Sequence, residues 1–473
     1  MLTDFYELTM ANGYFELGKK DVIAYFDMFF RRVPDGGGFA IMAGLEQVVD
    51  YLQNLEFKDE DIQYLRAKNC FSEEFLEYLR NFEFKCDVWA IPEGMPIFPY
   101  EPVITVRGPI IQAQFIETFV LMSINHQSLI ATKADRIVRA AAGKAVMEFG
   151  SRRAQGTDAA VFGARAAYIG GCVGTACTIA EQLFGIPAMG TMAHSWVQTF
   201  DSEYEAFIKF AELYPDNCVL LVDTYDVLKS GVPNAIRVFD EKKPANKGIR
   251  IDSGDITYLS NKARKMLDEA GFPDAIISAS SDLDEYLINS LMNQGAKITS
   301  WGVGTNLITS KDCPSFGGVY KLAAIQNKNG EFEPKIKLSE NTEKITNPGN
   351  KTVYRIYEKE TGKMKADYIC FVDEEINPEE DLLLFDPSET WKKTKMKAGT
   401  YTVREMMQPI FINGECVYTS PSVKEIAAYC RQEKDTLWDE SKRLFNPHQM
   451  YIDLSPRLYE VKKQLLDRMS ADD

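Results

Sequence analysis

Short apolar runs that alternate with helical patterns constrain the fold of this chain more than any other feature. From Ala145 onward the runs are VMEFG, a weak one near Ile169, IPAMG, VLLVD, GIRID, AIISAS, KITSWGVG and VYKLAAI. Alternating strands and helices are typical of a parallel sheet covered by helices, and eight candidate strands predict a (β/α) barrel. Because the segment spans only about 180 residues, below the 200 or more usual for such barrels, we expect an irregular barrel that lacks some helices.

Polar residues and glycines follow these runs, at the points where the predicted strands end. They are Arg152 after VMEFG, Thr191 and His194 after IPAMG, Asp223 at the end of VLLVD, Arg250 and Asp252 in GIRID, Ser280 in AIISAS, and Gly302, Gly304 and Thr305 around the end of KITSWGVG. The carboxyl ends of barrel strands meet at one rim, where barrel enzymes carry their active sites. We therefore expect these residues to form one site.

Each of these signals is weak when it is taken alone. Gly304 and the glycine two residues before it could offer backbone N–H groups to a phosphate, or could form only a tight turn. Arg250 needs an anion, which could be a ligand or an internal partner such as Asp252. Asp255 could hold a ligand, or could only cap the helix that follows it.

Histidines are rare in this chain, which has three of them. A lone histidine is usually structural, and that interpretation is assigned to His126 and His448. His194 differs because it follows a Gly-Thr turn beside other polar residues at strand ends. The sequence thus favours a reactive role for His194 while leaving the structural one open.

Composition narrows the class of protein. The net charge of −16 argues against nucleic-acid binding, which needs a basic surface. Nine cysteines without a CxxC pair indicate neither a zinc ribbon nor a disulfide framework, and free thiols fit the reducing cytoplasm. The N-terminus lacks the basic and apolar regions of a signal peptide, and no stretch predicts a membrane span, so we expect a cytoplasmic protein.

The whole chain is predicted to hold three regions. Residues 1–140 form an α+β sandwich domain, with a strand over Val22–Phe30 and a long helical pattern from Ile110 to Ala142 that can form one or two helices. Residues 141–325 form the irregular barrel with the active site. Residues 326–473 return in part to the sandwich and end in a helical extension.

Six successive segments carry a specific resemblance. The segments EFGSRRAQG, GTMAHSW, LLVDTYD, RIDSGD, WGVGTNL and GGVYKLA resemble, in order, the motifs of the nicotinate phosphoribosyltransferase family. The segments TDFYELTMANGY and FRRVPDGGGFA resemble the opening of that family, so the resemblance extends from Thr3 to about Ala324. It implies the α/β type II phosphoribosyltransferase fold, in which an open-faced α/β sandwich joins an irregular (β/α) barrel and a C-terminal extension.

The resemblance also implies a reaction in NAD biosynthesis. Nicotinate and phosphoribosyl pyrophosphate give nicotinate mononucleotide and pyrophosphate, and ATP hydrolysis is coupled to the transfer through a phosphohistidine. Positive charge builds on the sugar as the diphosphate leaves, so positioning and leaving-group stabilisation matter more than a strong base. The implied cofactor is Mg²⁺, ATP is a co-substrate, and the implied assembly is a homodimer with shared active sites.

Matching motifs imply a role for each site residue. Phe149 stacks on one face of the pyridine ring, and Tyr6 reaches the other face from a neighbouring subunit. Arg250 pairs with the nicotinate carboxylate, because its planar guanidinium matches a planar anion, and Thr191 adds a hydrogen bond. Arg152 contacts the ribose or its phosphate.

The same matching assigns the catalytic and phosphate groups. Asp252 holds the ribose hydroxyls. His194 accepts the phosphate of ATP, and Asp223 orients its ring, since a carboxylate on one nitrogen leaves the other nucleophilic. The 5′-phosphate lies on the turn of Gly302, Gly304 and Thr305, while weaker candidates for diphosphate contacts are Arg31, Arg32 and Lys321.

Three alternatives are weighed against this assignment. Nicotinamide phosphoribosyltransferases resemble this chain, but in that family an aspartate accepts a hydrogen bond from the amide, where this chain has Ala176 in the loop Gly171–Cys177. A quinolinate enzyme would need further cations for its second carboxylate. A barrel-derived binding protein with a dead site is disfavoured by intact Arg250, Asp252 and His194.

Overall fold

The computed structural model describes residues 2–337, 339, 341 and 344–471. The first residue of the predicted region 1–140 and the last two residues of the region 326–473 lie outside the described residues. The chain divides into two compact units. The composite unit consists of Met1–Leu129, Ser315–Pro421 and Ala428–Asp473, and the central unit consists of Ile130–Pro314 and Ser422–Ala427.

The first part of the chain mixes helices with antiparallel strands. Its helices are α1 (Phe5–Glu16), α2 (Leu45–Gln53), α3 (Asp59–Ala67), α4 (Glu73–Arg80), α5 (Ile110–Phe115) and α6 (Glu117–Ala140), and its strands are β1 (Ile23–Phe30), β2 (Ala40–Ile41), β3 (Asp87–Ala90), β4 (Pro96–Ile97) and β5 (Ile104–Pro109). The pattern from Ile110 to Ala142 is therefore two helices. Helix α4 begins where the sequence permits a cap, since the Ser72 hydroxyl accepts the Phe75 N–H at 3.2 Å.

The middle part alternates short strands with helices, as its apolar runs predict. Its strands are β6 (Ala145–Glu148), β7 (Gly174–Thr175), β8 (Cys218–Leu221), β9 (Lys247–Ile251), β10 (Ile276–Ser281) and β11 (Ser300–Val303), and its helices are α7 (Thr157–Gly170), α8 (Thr178–Phe184), α9 (His194–Gln198), α10 (Glu203–Leu213), α11 (Val232–Lys242), α12 (Ile256–Glu269), α13 (Glu285–Asn293) and α14 (Thr305–Ile308). Single turns of 3₁₀ helix at Ser151–Arg153 and of π-helix at Val227–Gly231 complete this part.

The last part is mainly strands, followed by helices. Its strands are β12 (Gly318–Gln326), β13 (Phe332–Pro334), β14 (Lys351–Glu358), β15 (Met364–Phe371), β16 (Leu382–Phe385), β17 (Lys393–Met396), β18 (Tyr401–Glu405), β19 (Gln408–Ile412), β20 (Glu415–Cys416) and β21 (Tyr451–Leu454), and its helices are α15 (Val423–Asp435) and α16 (Pro456–Ala471). A four-stranded sheet in the order β18-β14-β15-β21 belongs to the composite unit.

A seven-stranded sheet in the order β13-β12-β1-β5-β3-β19-β20 is the larger sheet of the composite unit. Strand β1 lies near its centre between β12 and β5, antiparallel to both. Seven of its eight residues are buried, which explains why its sequence is a continuous apolar run and not an alternation. Helices α1 and α5 pack their apolar residues against the same core.

The central unit contains six parallel strands in the order β7-β6-β11-β10-β9-β8. The edge strands β7 and β8 do not pair with each other, so the sheet is a half-barrel. The chain leaves β6 toward β7, then returns from the opposite edge through β8, β9 and β10 to β11, beside β6. Ligands of open parallel sheets bind at such a reversal of strand order, outside the carboxyl ends of the strands.

The prediction of eight barrel strands is wrong, because two of the runs are not strands of this six-stranded sheet and a third strand lies later in the chain than predicted. The run VYKLAAI is part of β12, which pairs antiparallel with β1, with Tyr320 stacked on Phe26 at 5.1 Å. Ile169 lies inside α7, and the strand of that region is the two-residue β7. The run IPAMG makes only an isolated bridge from Ala188 to Thr175, next to Pro187, which has no N–H to donate.

A buried cluster of charged side chains connects helix α6 with helix α13. The Glu285 carboxylate at the start of α13 is fully buried, 2.9 Å from Lys133 Nζ and 2.9 Å from Arg136 Nε of α6. A buried carboxylate is tolerated when cations neutralise it at this distance. Among the described residues, no helix is long and apolar enough to span a membrane.

Replacing Glu285 with alanine should destabilise the protein by about 3–5 kcal/mol, because Lys133 and Arg136 would lose the buried carboxylate that neutralises them. Glu269→Ala on α12 is the matched control, since Glu269 faces solvent and its ion pair with Lys265 is exposed at 3.6 Å. We expect that control to change stability by about 0.5 kcal/mol at most. Denaturant unfolding measures both, and equal losses would contradict a stabilising role for this cluster.

Candidate active site

A cavity of about 370 Å³ opens at the carboxyl ends of the half-barrel strands. Its lining comes from the loops and strand ends after β6, β7, β9, β10 and β11 and from the run IPAMG, and consists of Phe149, Arg152, Arg153, Ala176, Met189, Gly190, Arg250, Asp252, Ser280, Ser281, Asp282, Gly302, Gly304 and Thr305. The structure thus brings together eight of the residues predicted from the strand ends and motifs: Phe149, Arg152, Arg250, Asp252, Ser280, Gly302, Gly304 and Thr305.

The ring of Phe149 occupies a slot that is open because residue 302 is a glycine, which has no side chain. Its backbone N–H donates to Val303 O at 2.7 Å, which continues the pairing of β6 with β11 beyond the end of β6. A Cβ on Gly302 would lie 2.6 Å from Cδ2 of the Phe149 ring, closer than any real contact. Gly302 therefore positions an aromatic face at the cavity, a role distinct from the phosphate turn predicted for it.

The Arg250 guanidinium connects three parts of the cavity wall. Its Nε donates to Ser280 Oγ at 2.8 Å, and Nη1 donates to Thr191 Oγ1 at 3.0 Å and to Met192 O at 3.3 Å. Its Nη2 lies 3.3 Å from Asp252 Oδ1. Both interpretations of Arg250 therefore apply, because it has an internal anionic partner and also lines the cavity.

Asp252 is held in its ionised form. Burial alone would raise the pKa of its carboxyl, but a hydrogen bond from the Ser280 hydroxyl and the charge of Arg250 outweigh burial and bring the pKa below its usual value. The carboxylate is therefore charged at neutral pH. A charged acceptor in a cavity wall suits the hydroxyls of a sugar or a cation that accompanies a phosphate.

His194 begins helix α9 and is partly exposed, with 41% of its side chain accessible. Its Nδ1 is 3.0 Å from Thr224 Oγ1. Its Nε2 is 3.9 Å from Asp223 Oδ1 and 4.0 Å from Asp252 Oδ2, within reach of both charges but longer than a hydrogen bond. The imidazole thus lies between a hydroxyl and two carboxylates.

Asp223 carries a buried oxygen without a partner. Its side chain is 2% exposed, and Oδ2 accepts the Asp252 N–H at 3.1 Å and the Ser253 hydroxyl at 2.6 Å. Oδ1 has no hydrogen-bond partner. Buried polar atoms are nearly always satisfied, so an orphan oxygen beside His194 indicates a donor that arrives when the imidazole or a ligand moves.

Some of the remaining predicted residues of the central unit line the cavity, whereas Asp255 has a structural role. Gly304 and Thr305 line the cavity at the start of α14, a single turn of helix. Arg152 is exposed in the 3₁₀ turn that follows Phe149. Asp255 caps α12, because its carboxylate accepts the Tyr258 N–H at 3.0 Å.

Residue-by-residue reasoning missed Glu148. This fully buried residue of β6 accepts the Gly150 N–H and the Thr175 hydroxyl, the latter at 2.6 Å, and so joins the loops on either side of Phe149 and Ala176. Burial raises the pKa of its carboxyl, against the effect of these two hydrogen bonds. The available signal was an acid at an alternating position inside the apolar run VMEFG.

Four predicted residues belong to the composite unit. Tyr6 is on α1 and 46% exposed, and its pKa is raised by burial and by the carboxylate of Glu117. Lys321 lies on β12 with its Nζ 3.6 Å from Glu117 Oε1. Arg31 and Arg32 follow β1 directly. Tyr6 and Lys321 thus share an acidic neighbour.

The described residues contain no group of three or more His, Cys, Asp and Glu side chains that could hold a metal ion. Magnesium usually keeps several waters and binds proteins through one or two carboxylates together with substrate phosphates. Asp252 fits that limited role, as an ionised carboxylate in the cavity wall.

Family models and known proteins match this chain along most of its length. Residues 1–125 match the nicotinate phosphoribosyltransferase N-terminal domain, residues 144–365 match the nicotinate phosphoribosyltransferase family, and residues 350–462 match its C-terminal domain. The chain is 44% identical to the nicotinate phosphoribosyltransferase of Bacillus subtilis, over 99% of this chain and 97% of that protein. The chain belongs to the nicotinate phosphoribosyltransferase family.

More distant relatives give the same result. The nicotinate phosphoribosyltransferase of Homo sapiens is 31% identical over 98% of this chain and 96% of that protein. The crystal structure of human nicotinic acid phosphoribosyltransferase superposes with a TM-score of 0.85 at 28% identity and covers 98% of this chain and 100% of that one. The predicted type II phosphoribosyltransferase fold is thereby confirmed, and family membership assigns the chain to the phosphoribosyl-transferring enzymes of NAD biosynthesis.

Replacing Gly302 with alanine should push the Phe149 ring from its slot. Overpacking of this kind costs about 1–3 kcal/mol, so we expect the KM for the pyridine substrate to rise roughly tenfold. Gly190→Ala is the matched control, because Gly190 also lines the cavity but an added Cβ meets nothing within 4 Å. Steady-state kinetics on both variants tests this, and the same KM for both would contradict the slot.

Proposed function

We propose that this enzyme transfers the phosphoribosyl group of phosphoribosyl pyrophosphate to nicotinate, with ATP hydrolysis coupled through phosphorylation of His194. One observation carries the proposal. Phe149, Arg250 and Asp252 line the same cavity, and the His194 imidazole lies near the Asp252 carboxylate. We also propose a cytoplasmic location, which the nine free cysteines support.

Recognition of nicotinate rests on Arg250 and Phe149. The guanidinium already holds Thr191, Ser280 and Asp252, so its orientation is set before a ligand arrives. A planar cation of fixed orientation beside an aromatic ring matches a pyridine carboxylate. Ala176 in the cavity wall adds no acid that would repel that carboxylate.

Arg250→Ala should raise the KM for nicotinate roughly tenfold or more, because loss of a charge partner in a desolvated site typically costs about 2–5 kcal/mol. The wild type should use nicotinamide poorly, and the variant should lose most of that discrimination. Arg237→Ala on α11, which breaks an exposed pair with Glu241 and a contact with the ring of Tyr204, both outside the cavity lining, is the control. Equal turnover of the acid and the amide by the wild type would rule out this role.

The ribose and phosphates are assigned to the other side of the cavity. Asp252 would accept hydrogen bonds from the ribose hydroxyls, while Thr305, the Gly304 turn and the exposed Arg152 would bind the phosphate groups. Bound Mg²⁺ supplies charge neutralisation on the leaving diphosphate. With both reactants held, the pyridine nitrogen forms its bond to the anomeric carbon as the bond to the diphosphate breaks.

Phosphorylation of His194 is supported by its surroundings. An imidazole nitrogen that donates to a carboxylate leaves the opposite nitrogen unprotonated and nucleophilic. Asp223 Oδ1 is buried, has no partner, and lies 3.9 Å from Nε2, so a small rotation of the ring completes that bond. The 41% exposure of the His194 side chain leaves it open to a phosphate donor.

Wild-type enzyme incubated with γ-labelled ATP should gain acid-labile, base-stable label, as a phosphoramidate does, and His194→Asn should not. The variant should stay folded, lose ATP hydrolysis, and keep a slow transfer without ATP, because Arg250 and Phe149 remain. Asp223→Asn should show a milder form of this defect. His448→Asn, in an exposed loop, is the control. Label retained in His194→Asn would refute the proposal, as would equal loss of every activity through unfolding.

We also propose a homodimer in which Tyr6 completes the site of the neighbouring subunit. Tyr6 is 46% exposed on the first helix of the chain, available to a second copy. Mixing Tyr6→Ala and His194→Ala chains equally should restore roughly a quarter of the wild-type ATP-coupled activity, since half of the dimers are mixed and each has one intact site.

The control for this mixing experiment pairs His194→Ala with Arg250→Ala. Both residues belong to the central unit of one chain, so no mixed dimer has an intact site, and the mixture should show no more activity than the two variants show separately. Activity in that control, or a fully active monomer by sedimentation, would contradict the shared site.

A further inference from the structure

The composite unit contains a second cavity, of about 600 Å³, which the transfer reaction does not use. It lies between the loop after β16, strand β21, helix α16 and the loops near Tyr100 and Asn347. Small-molecule sites typically have volumes of about 300–1,000 Å³ with apolar walls and a few polar groups. The size of this cavity is therefore that of a ligand site.

The decisive group is Asp453 on β21. Its residue is 3% exposed, and its Oδ1 is buried without a hydrogen-bond partner. Burial and the charge of Asp386 raise the pKa of its carboxyl to about 7. A buried acceptor without a partner costs stability unless a ligand supplies the donor, and such unsatisfied groups concentrate at binding sites.

A metal ion does not suit these two carboxylates. No group of three or more metal-binding side chains occurs in the part of the chain that the structure describes. In addition, the Lys392 ammonium pairs with Glu389, and the carboxylates of Glu389 and, to a smaller extent, Asp386 raise its pKa. A neutral N–H donor, such as an amino group on a ring, satisfies Asp453 without adding a second cation.

A cation lies elsewhere in the same cavity. Lys462 on α16 donates to Asn347 Oδ1 at 2.8 Å, and burial together with nearby Lys351 lowers its pKa to about 8. Among the described residues, neither Asp386 nor Asp453 contributes to the pKa of Lys462, although all three line the cavity. An ammonium that lacks a carboxylate partner inside a cavity favours an anionic ligand group such as a phosphate.

The wall between these groups is suited to a flat ring. Tyr100 and Tyr451 line the cavity together with aliphatic side chains. Aromatic and apolar walls bind planar heterocycles through stacking and area burial. The ligand that combines a ring amino group, a planar heterocycle and an anion is an aminopurine nucleotide.

We propose that this cavity binds a 6-aminopurine nucleotide, with the exocyclic amino group donating to Asp453 and a phosphate on Lys462. The site lies wholly within the composite unit, whereas the residues that line the transfer cavity belong to the central unit. The proposal does not depend on ATP serving as a phosphate donor to His194.

Calorimetric titration of the full-length enzyme with adenosine monophosphate, inosine monophosphate and ribose 5-phosphate tests this site. Inosine monophosphate differs by a carbonyl in place of the amino group, so adenosine monophosphate should bind roughly tenfold more tightly. Asp453→Ala should remove that difference between the two nucleotides. Lys462→Met should weaken both nucleotides roughly tenfold, because each loses its phosphate contact.

Helix α16 supplies matched controls, since Lys463 and Asp467 are exposed neighbours on the same helix. Lys463→Met and Asp467→Ala should bind both nucleotides as the wild type does. Equal binding of the two nucleotides by the wild type would overturn the proposal, as would absence of saturable binding. A preference that survives in Asp453→Ala but is lost in Arg152→Ala would locate nucleotide binding in the half-barrel instead, and would also overturn it.

Thermal unfolding distinguishes this site from a structural role of Asp453. Without nucleotide, Asp453→Ala should be at least as stable as the wild type, because it removes a buried carboxylate oxygen that has no partner. Adenosine monophosphate should raise the Tm of the wild type and leave that of the variant unchanged. A clear loss of stability in the nucleotide-free variant would show that Asp453 holds the fold, and would contradict the proposal.

Discussion

The guanidinium of Arg250 is the interaction on which the candidate active site depends. It binds the hydroxyls of Ser280 and Thr191 and lies 3.3 Å from the Asp252 carboxylate, so one side chain connects three separate segments of the half-barrel. A cation fixed in this way needs little reorganisation when an anionic ligand arrives. Arg250 and Ser280 also keep Asp252 ionised, so the same contacts set both the geometry and the charge of the site.

An unsatisfied carboxylate oxygen lies near each of the two cavities. Asp223 Oδ1 lies unpartnered near His194, and Asp453 Oδ1 lies unpartnered in the cavity of the composite unit. Each lowers the stability of the ligand-free protein, because a buried acceptor has lost water without gaining a donor. By contrast, the Glu285 carboxylate, which no cavity requires, is neutralised by Lys133 and Arg136.

Much of the fold and of the site could be predicted from residues that are close in the sequence. The parallel strands, the helices between them and the polar residues at their carboxyl ends follow from local periodicity, because strand and helix repeats are encoded within a few residues. That Phe149, Arg250, Asp252 and the Gly304 turn face one cavity follows as well, since parallel strands align their carboxyl ends. The cap formed by Asp255 was likewise a local alternative that the sequence left open.

Other features were decided by contacts between distant residues. The run VYKLAAI resembles one more barrel strand, but β12 pairs with β1, whose residues precede it by more than half the length of the sequence, and local periodicity does not record a partner. The role of Gly302 depends on the Phe149 ring of the neighbouring strand, and the role of Glu148 on Thr175. The sequence by itself determined which residues end the strands and carry the chemistry. Only the tertiary structure decided which of them touch, because packing distance and hydrogen-bond partners are properties of the folded chain.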